Sequence, residues 1–459
     1  MEKNASKKLP AATSGVSRSL HSKRTRRTSD YLAWALLLLI LVAGQWLLWL
    51  RTLRAAPGPL TIEERVQKIL THTPLIDGHN DLPILLRIHL KNHIYGDNFT
   101  EAFKSGKFVG HTDIGRLRQG RVGGSFWSVF VPCPDNKTDF SDEAYAQTWG
   151  GNIGVRLTFE QVDVTSRLQQ AYPDVFSAPP NGTTALQAFR EGKIISPLGI
   201  EGLHSIGNSL SQLRIFHELG VSYATLTHNC HNRYADAALT EQPGGGVVEA
   251  EPLWNGVSPA GQDLVFEMNR LGMLVDLAHV STDTMRDVLG AGKNGWKGSR
   301  APVIFSHSSA RALCPHPRNV PDDVLHLVRE RNSIVMVNFA PEFIACTDSV
   351  NANGIPGVIH EEATLERVVD HIVYIGTIAG YDHVGLGSDF DGIASVPRGL
   401  EDVSKFPDLI AELLRRGVSD EDAAKVAGGN LLRVWKEADE VGLRMQAEGA
   451  LPVEDDLLF

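Results

Sequence analysis

Seven imidazole and carboxylate side chains stand where short apolar runs of the sequence end, and such side chains can hold metal ions. They are four histidines and three acidic residues: His79, Asp81, Glu201, His228, His279, His307 and Asp389. A lone His-x-Asp such as His79-Asn80-Asp81 is weak, because any strand that leaves a sheet acquires polar residues. Seven residues in equivalent positions are hard to explain as a solvated edge. Neutral imidazole and carboxylate are the usual Zn²⁺ ligands outside cysteine sites, so the set predicts a metal centre.

The set is large enough for two divalent ions. His79 and Asp81 are two residues apart in an extended stretch and project to one side, so both can hold one ion. His279 and His307 end neighbouring runs and can hold the other, with Glu201 as a bridging carboxylate. A structural zinc site closes four protein ligands, whereas ligands at an open mouth leave positions for water. This difference favours a catalytic centre.

The chemistry that two such ions support is hydrolysis. They lower the pKa of a bridging water and polarise a carbonyl oxygen. Asp389 would accept the proton of that water and return it to a leaving amine. No Gly-x-Ser-x-Gly elbow occurs, so no activated serine is indicated. The residues therefore predict metal-assisted hydrolysis of an amide-like bond. Arg318 follows the sixth run and either clamps a substrate carboxylate or pairs with Asp322 or Asp323.

These side chains need a scaffold that gathers the ends of many strands. Eight apolar runs occur, at 75–77, 126–131, 197–200, 221–228, 273–279, 302–307, 333–339 and 383–389. Helix-like segments lie between them, among them 210–219, 261–271, 320–330 and 365–378. Strands that alternate with helices pair in parallel, and eight of them predict a TIM-like (β/α)₈ barrel with its chemistry at the carboxyl ends. An open doubly wound sheet is the alternative, but no Gly-x-Gly-x-x-Gly follows the first run.

The first sixty residues differ from the rest. Residues 1–30 carry a net charge of +6, which leaves −16 for the remainder, and so acidic a body argues against a nucleic-acid partner. Residues 31–50 contain no charged side chain and are rich in leucine, and a helix of this length matches a hydrocarbon core of ~30 Å. We predict a basic cytoplasmic tail (1–30), a transmembrane signal-anchor helix (31–50), a stem (51–61) and one catalytic domain (62–459). A cleaved signal peptide is the alternative.

The charge pattern also predicts a compartment. The basic block precedes the apolar segment, so the protein is expected to be a single-pass type II membrane protein. Its catalytic domain would lie outside the cell or in the secretory or vacuolar lumen. Three sequons are candidates for glycosylation, at Asn98, Asn136 and Asn181. The cysteines form an even set, as secreted folds prefer, and can pair in three ways: Cys133, Cys230, Cys314 and Cys346.

Several residues near these motifs are assigned structural roles and no catalytic ones. Thr61-Ile62-Glu63-Glu64 predicts the start of a helix with an incomplete capping box. Gly78 is predicted to turn the backbone sharply into the mouth, and Asp77 is given no chemistry. The remaining histidines close to the motifs are interpreted as surface or packing residues: His204, His217, His231, His316 and His383.

Seven motifs then carry a family resemblance. They are DGHNDLP (77–83), GIEGLHS (199–205), TLTHNC (225–230), DLAHVS (276–281), PVIFSHS (302–308), RNVPDD (318–323) and GSDFDG (387–392). Over nearly all of residues 62–440 the chain resembles the membrane (renal-type) dipeptidases, zinc hydrolases of peptidase family M19 in the amidohydrolase superfamily. In this resemblance His79 and Asp81 match the ligands of one zinc, and His279 and His307 match those of the other. Glu201 matches the bridge.

The resemblance also implies how substrate is held. His228 matches the histidine that contacts the substrate and stabilises the tetrahedral oxyanion. Arg318 matches the arginine that binds the C-terminal carboxylate of the dipeptide. Asp389 matches the acid/base near the substrate amine. The family's two intrachain bridges map onto Cys133–Cys230 and Cys314–Cys346.

The chain departs from the mammalian members in its tether. Those proteins carry a C-terminal lipid and often form disulfide-linked dimers, whereas the anchor predicted here is N-terminal. Both bridges together use every cysteine, so a homodimer would be non-covalent. The sequence thus predicts a membrane-anchored di-zinc dipeptidase. Two alternatives stay open: a di-zinc amidohydrolase that acts on a lactam or other small amide, and a catalytically silent cell-surface binding module.

Overall fold

The chain divides into two units, Met1–Leu60 and Thr61–Phe459. The computed structural model describes residues 25–54, 59–134, 140, 154–242, 244–292 and 295–455. In the first unit, Thr25–Arg54 forms helix α1. Its stretch Asp30–Trp49 has a mean hydropathy of 2.1 and is long and apolar enough to cross a membrane. The predicted anchor therefore falls on a helix, and the crossing itself stays a prediction.

The second unit is built on a closed barrel. In chain order the strands are β1 (Leu75–Asn80), β2 (Val122–Phe130), β3 (Leu198–Glu201), β4 (Val221–Thr225), β5 (Leu239–Glu241), β6 (Val247–Glu249), β7 (Leu274–Asp276), β8 (Ile304–Phe305), β9 (Ile334–Val337), β10 (Cys346–Val350), β11 (Pro356–Val358) and β12 (Val384–Leu386). Eight of them close in the order β1-β12-β9-β8-β7-β4-β3-β2, and neighbouring strands are parallel. Each of the eight predicted runs overlaps one barrel strand, so the predicted TIM-like (β/α)₈ barrel is confirmed.

Helices of the second unit surround this barrel. They are α2 (Ile62–His72), α3 (Leu82–Leu90), α4 (Asp97–Ser105), α5 (Ile114–Gln119), α6 (Gly154–Ala171), α7 (Ala185–Arg190), α8 (Leu210–Glu218), α9 (Pro259–Leu271), α10 (Thr282–Val288), α11 (Asp322–Glu330), α12 (Pro341–Ile344), α13 (Leu365–Ile378), α14 (Phe406–Arg415), α15 (Asp420–Ala424) and α16 (Asn430–Ala447). The predicted helical segments 210–219, 261–271, 320–330 and 365–378 correspond to α8, α9, α11 and α13. Barrel strands covered on both sides read as continuous apolar runs, which is why the sequence pattern located them.

Two local predictions need correction. The capping box at the start of α2 is complete, because Thr61 Oγ1 accepts from the Glu64 backbone N–H and Glu64 accepts from the Thr61 N–H. Gly78 makes no sharp turn, since it lies within β1. A Cβ at this position would overlap Met336 Sδ and approach the Ser306 carbonyl oxygen to 2.9 Å. Gly78 is therefore required by close packing inside the barrel.

Two disulfides connect loops at the carboxyl ends of the strands. Cys133–Cys230 joins the segment after β2 to the segment after β4, with the Cα atoms 6.1 Å apart. Cys314–Cys346 joins the loop after β8 to the start of β10, with the Cα atoms 5.4 Å apart. Both pairings agree with those that the family resemblance implies. They use all four cysteines of the sequence.

The predicted sequons lie in different settings. Asn98 is exposed on α4, and Asn181 is exposed before α7. Asn136 lies outside the described residues. The Asn181 side-chain oxygen accepts from the backbone N–H groups of Thr183 and Thr184. Glycosylation at the two exposed positions stays a prediction.

The last described residues are fixed to the outside of the barrel. Arg214 Nη1 donates to the Val453 carbonyl at 2.9 Å, and the Val453 N–H donates to Glu267. The Asp455 carboxylate accepts from the backbone N–H groups of Leu210 and Ser211 at 2.8 and 3.0 Å. Asp455 therefore acts as a second cap for the first turn of α8, beside the Ser209 cap.

This cap predicts a stability effect. Replacing Asp455 with alanine should lower the free energy of unfolding by about 1 kcal/mol, because two N–H groups at a helix start lose their acceptor. Thermal melting of the purified domain would measure it. Glu454→Ala, at an exposed neighbouring carboxylate, is the matched control and should leave the melting temperature unchanged. Equal melting temperatures for the two variants would contradict the capping role.

Candidate metal centre

The carboxyl ends of the barrel strands bring all seven predicted residues to one mouth. His79 lies near the end of β1, Asp81 precedes α3, and Glu201 is the last residue of β3. His228, His279, His307 and Asp389 follow β4, β7, β8 and β12 by two or three residues. All of them except His79 and His307 line a cavity of about 450 Å³, which Arg318 also lines.

Glu201 stands between two groups of histidines. Its Oε2 atom lies 3.6 Å from His79 Nε2. Its Oε1 atom lies 2.9 Å from His279 Nε2 and 3.6 Å from His307 Nε2. Asp81 Oδ2 lies 3.1 Å from His79 Nε2. Burial opposes ionisation of Glu201, yet the charge of His79 and the hydrogen bond from His279 hold its pKa well below the usual value.

The Nε2 atoms of three histidines point inward because their Nδ1 atoms are held from outside. His79 Nδ1 is 2.8 Å from Tyr223 Oη, and His307 Nδ1 is 2.8 Å from Ser306 Oγ. The third, His279 Nδ1, is 3.1 Å from Asn229 Oδ1. Metal-binding histidines are usually oriented in this way by a partner on the second nitrogen. The sequence pattern did not predict these three partners.

Two buried aspartates, which sequence reasoning left unused, join the strands that carry these residues. Asp77 of β1 accepts from the Ser388 N–H at 2.8 Å and from Ser388 Oγ at 2.6 Å. Asp276 of β7 accepts from the Ser306 N–H at 2.8 Å and from Ser306 Oγ at 2.6 Å. We call these two units the aspartate–serine clamps.

Each clamp lies directly beneath part of the mouth. Ser388 immediately precedes Asp389, and Ser306 immediately precedes His307. Serine just before a polar residue at a strand end is the sequence signal that could have located both clamps.

Asp389 occupies a constrained position. Its backbone has a φ of 64°, and so has that of His279. Left-handed backbone at residues other than glycine is unfavourable and clusters at functional sites. Asn338 Nδ2 donates to Asp389 Oδ2 at 3.0 Å, a contact that the sequence did not predict. Burial raises the pKa of Asp389 well above its usual value.

His228 is wedged between a disulfide and two rings. Its Nδ1 atom lies 3.9 Å from Cys133 Sγ. Its ring centroid is 4.9 Å from that of Phe130 and 4.3 Å from that of His279. Burial lowers the pKa of His228 to about 4, so the ring is neutral near pH 7.

Arg318 faces the cavity instead of pairing with Asp322 or Asp323. Its Nη1 atom is 2.9 Å from His279 Nδ1, and its guanidinium lies 5.0 Å from the centroid of the Phe343 ring. The side chain is buried, and within the described chain its Nε atom has no hydrogen-bond partner. Burial lowers its pKa to about 10, which leaves it charged near pH 7. A buried cation at a cavity wall suits an anionic ligand.

The residues fit divalent metal ions. Three groups of inward ligand atoms lie close together: His79, Glu201 and His307; Glu201, His228 and His279; and His79, Asp81 and Asp389. The buried Asp81 Oδ1 atom has no hydrogen-bond partner in the described chain. An unpaired buried carboxylate oxygen is unfavourable, and a cation at this position would satisfy it.

Five further histidines fulfil other roles, as predicted. His204 Nε2 donates to the Val131 carbonyl at 2.7 Å, beside the Cys133–Cys230 bridge. His316 and His383 are buried, and His217 and His231 are partly buried. Among the described residues, none of the five shares a group of neighbouring ligand atoms with Glu201. His204 shares such a group with the two bonded cysteines.

A parallel (β/α)₈ barrel with imidazoles and carboxylates at its mouth is the architecture of metal-dependent hydrolases. Residues 63–449 match the family described as membrane dipeptidase (Peptidase family M19). The chain belongs to this family, and it is a metallopeptidase of the dipeptidase type. The family implies a divalent metal, and the donor set described above agrees with it.

Similar proteins include fungal dipeptidases. The chain is 46% identical to dipeptidase aclJ of Aspergillus oryzae, over 85% of this chain and 84% of that protein. It is also 46% identical to an uncharacterised dipeptidase of Schizosaccharomyces pombe, over 86% of this chain and 88% of that protein.

Solved structures share the fold. A metallopeptidase from Rhodobacter sphaeroides, liganded with a phosphinate mimic of the dipeptide L-Ala-D-Ala, has a TM-score of 0.64 at 24% identity over 80% of this chain and 99% of its own. The probable dipeptidase PvdM from Pseudomonas aeruginosa has a TM-score of 0.67 at 22% identity over 84% of this chain and all of its own.

The clamp beneath His307 predicts an effect on metal retention. Ser306→Ala removes the group that orients His307 Nδ1, so metal affinity should fall by about 10- to 100-fold. Metal content after dialysis against a graded chelator series would measure it. Ser395→Ala, at an exposed serine beyond β12, should retain metal as the wild type does. Identical chelator curves for both variants would contradict the orienting role.

Proposed function

We propose that the protein is a di-zinc dipeptidase that hydrolyses the peptide bond of dipeptides with free ends. The observation that carries this proposal is the position of Glu201. One of its oxygens faces His79, and the other faces His279 and His307. A carboxylate so placed can bridge two ions, with His79 and Asp81 on one and the other two histidines on the second. Two zinc ions at these positions would lower the pKa of a shared water and polarise the scissile carbonyl.

The chain's own residues orient the substrate across the mouth. The Arg318 guanidinium binds the C-terminal carboxylate of the dipeptide, which satisfies its unpaired Nε. Neutral His228 donates an N–H to the oxygen that becomes negative as the carbonyl is attacked. Its Nδ1 faces the bonded sulfur of Cys133 at 3.9 Å, so Nε2 is the nitrogen that is left to face the substrate.

Asp389 moves the proton in this scheme. It is the general base for the attacking water and then the general acid for the leaving amine. Burial raises the pKa of Asp389, so its ionised form takes a proton from water more readily than the carboxylate of an exposed aspartate does. Asn338 holds one Asp389 oxygen at 3.0 Å and leaves the other for the reaction.

Turnover by purified ectodomain with zinc tests the proposal directly. Release of amino acids from a panel of dipeptides should be lost with chelator and restored by zinc, and zinc analysis should give two ions per subunit. A bound-metal enzyme that cleaves a lactam but no dipeptide would favour the cyclic-amide alternative. Metal content near zero without any turnover would favour a binding module.

Replacing Glu201 tests whether its carboxylate bridges two ions or only lies near them. Glu201→Gln should lower kcat/KM by more than about 100-fold, beyond what loss of an outer partner causes, and should reduce bound zinc below two per subunit. Glu361→Gln changes an exposed carboxylate in the same way and should behave like wild type. Full zinc content with unchanged turnover in Glu201→Gln would contradict the bridge.

The same proposal includes anchoring by the N-terminal helix. Residues 1–30 would form a cytoplasmic tail, 31–50 the membrane span and 51–61 a stem that carries the catalytic domain 62–459. The support is the apolar stretch Asp30–Trp49 and the two disulfides, which suit an oxidising compartment. Asn98, Asn136 and Asn181 would then be glycosylated, and any homodimer would be non-covalent.

Membrane fractions of cells that express the full chain test the anchor. The protein should resist alkaline extraction, its tail should be digested by protease from the cytosolic side, and glycosidase should reduce its mass. Peptide mapping that finds a mature N-terminus near residue 56 would indicate cleavage and contradict anchoring.

A further inference from the structure

An apolar wall borders one side of the charged mouth. Helix α3 begins directly after Asp81, and Ile84 and Ile88 lie one turn apart on it, so they share a face. Both line the 450 Å³ cavity together with Ile393 from the loop after β12. We call these three residues the isoleucine wall. Ile88 is 67% exposed, which leaves a large apolar side chain in water at the rim.

The isoleucine wall borders the mouth on a different side from the carboxylate anchor. Its helix and loop follow β1 and β12, which are neighbours in the barrel. Arg318 follows β8, and β12 and β9 stand between β8 and β1 in the barrel order. A dipeptide whose carboxylate binds Arg318 and whose carbonyl lies beside Glu201 extends its amino-terminal residue towards the strands opposite β8, which are β1, β2 and β3, and helix α3 of the wall follows β1.

We propose that the isoleucine wall binds the side chain of the amino-terminal residue, and that the enzyme selects dipeptides whose first residue is large and apolar. Leucine, methionine and phenylalanine belong to this class. The inference rests on the proposed function, because it takes the direction of the substrate from Arg318. Its physical basis is the removal of both apolar surfaces from water when substrate binds. Phe130 and Phe343 also line the cavity, but their rings pack against His228 and Arg318, which leaves the isoleucine wall as the aliphatic surface open to a side chain.

Three dipeptides distinguish a side-chain preference at the amino-terminal residue from one at the carboxyl-terminal residue. Leu-Gly and Gly-Leu have the same composition, and Gly-Gly lacks a side chain at both positions. The value of kcat/KM should be about tenfold or more higher for Leu-Gly than for Gly-Gly, since an apolar pocket discriminates by about 10- to 200-fold. Gly-Leu should resemble Gly-Gly. A preference for Gly-Leu over Leu-Gly would overturn the proposed direction.

The wall itself is tested by a substitution. Ile88→Ser should reduce the ratio of kcat/KM between Leu-Gly and Gly-Gly by about five- to tenfold, mainly through KM, because it removes most of one apolar contact. Ile88→Leu should keep the ratio. Ile215→Ser, at a 43% exposed isoleucine on α8, is the matched control and should keep it as well. An unchanged ratio in Ile88→Ser would overturn the assignment.

Failure of this inference is distinguishable from failure of the proposed function. An enzyme that cleaves all three dipeptides at similar rates is a dipeptidase without the apolar preference. An enzyme that cleaves none of them, with metal bound, is not a dipeptidase of the proposed kind, and the isoleucine wall then has no substrate to select.

Discussion

Burying several ionisable groups together is costly unless each has a partner, and the two aspartate–serine clamps show how this barrel meets that constraint. In each clamp a buried carboxylate accepts both the N–H and the hydroxyl of a serine on the adjacent strand. One clamp joins β1 to the segment that carries Asp389, and the other joins β7 to the segment that carries His307. The mouth above them can be crowded because its base is fixed by short hydrogen bonds between strands.

The clamps divide the centre into two related halves. In one half His79 is held by Tyr223 from across the barrel, while in the other His307 is held by the serine of its own clamp. Glu201 comes from β3, which belongs to neither half, and contacts both. The distances from the Glu201 carboxylate to its histidine neighbours therefore depend on the placement of both halves. Displacement of either clamp would therefore alter distances to the same residue.

The sequence was sufficient for the barrel and for the inward-facing residues. Parallel strands buried on both sides appear as apolar runs, and the residues that follow them must meet at one end. The sequence does not predict the side chains that hydrogen-bond to these residues from behind, because those contacts depend on the register between strands. Tyr223 reaches His79 only because Gly199 on β3 has no side chain, and a Cβ there would overlap the Tyr223 ring. The left-handed backbone of His279 and Asp389 also leaves no signal in residue type.

Asp77 and Gly78 show the same limit on a smaller scale. Alternation along a strand places Asp77 on the same side as His79 and Asp81. It does not reveal that Asp77 bonds to Ser388, which is 311 residues away in the sequence. Gly78 suits a turn by its residue type, yet its role is set by Met336 and Ser306 on other strands.

Asp81 takes part both in the metal-binding set and in the start of helix α3. Its carboxylate belongs to the donor set, whereas its carbonyl accepts from the N–H groups of Ile84 and Leu85 and so begins α3. Helix α3 in turn carries Ile88 to the rim. One residue thus connects cation occupancy to the apolar surface that would meet a substrate. Thermodynamic linkage is reciprocal, so if an ion at Asp81 tightens substrate binding, substrate must tighten the binding of that ion by the same free energy. A working enzyme would hold its metal most firmly while it is saturated.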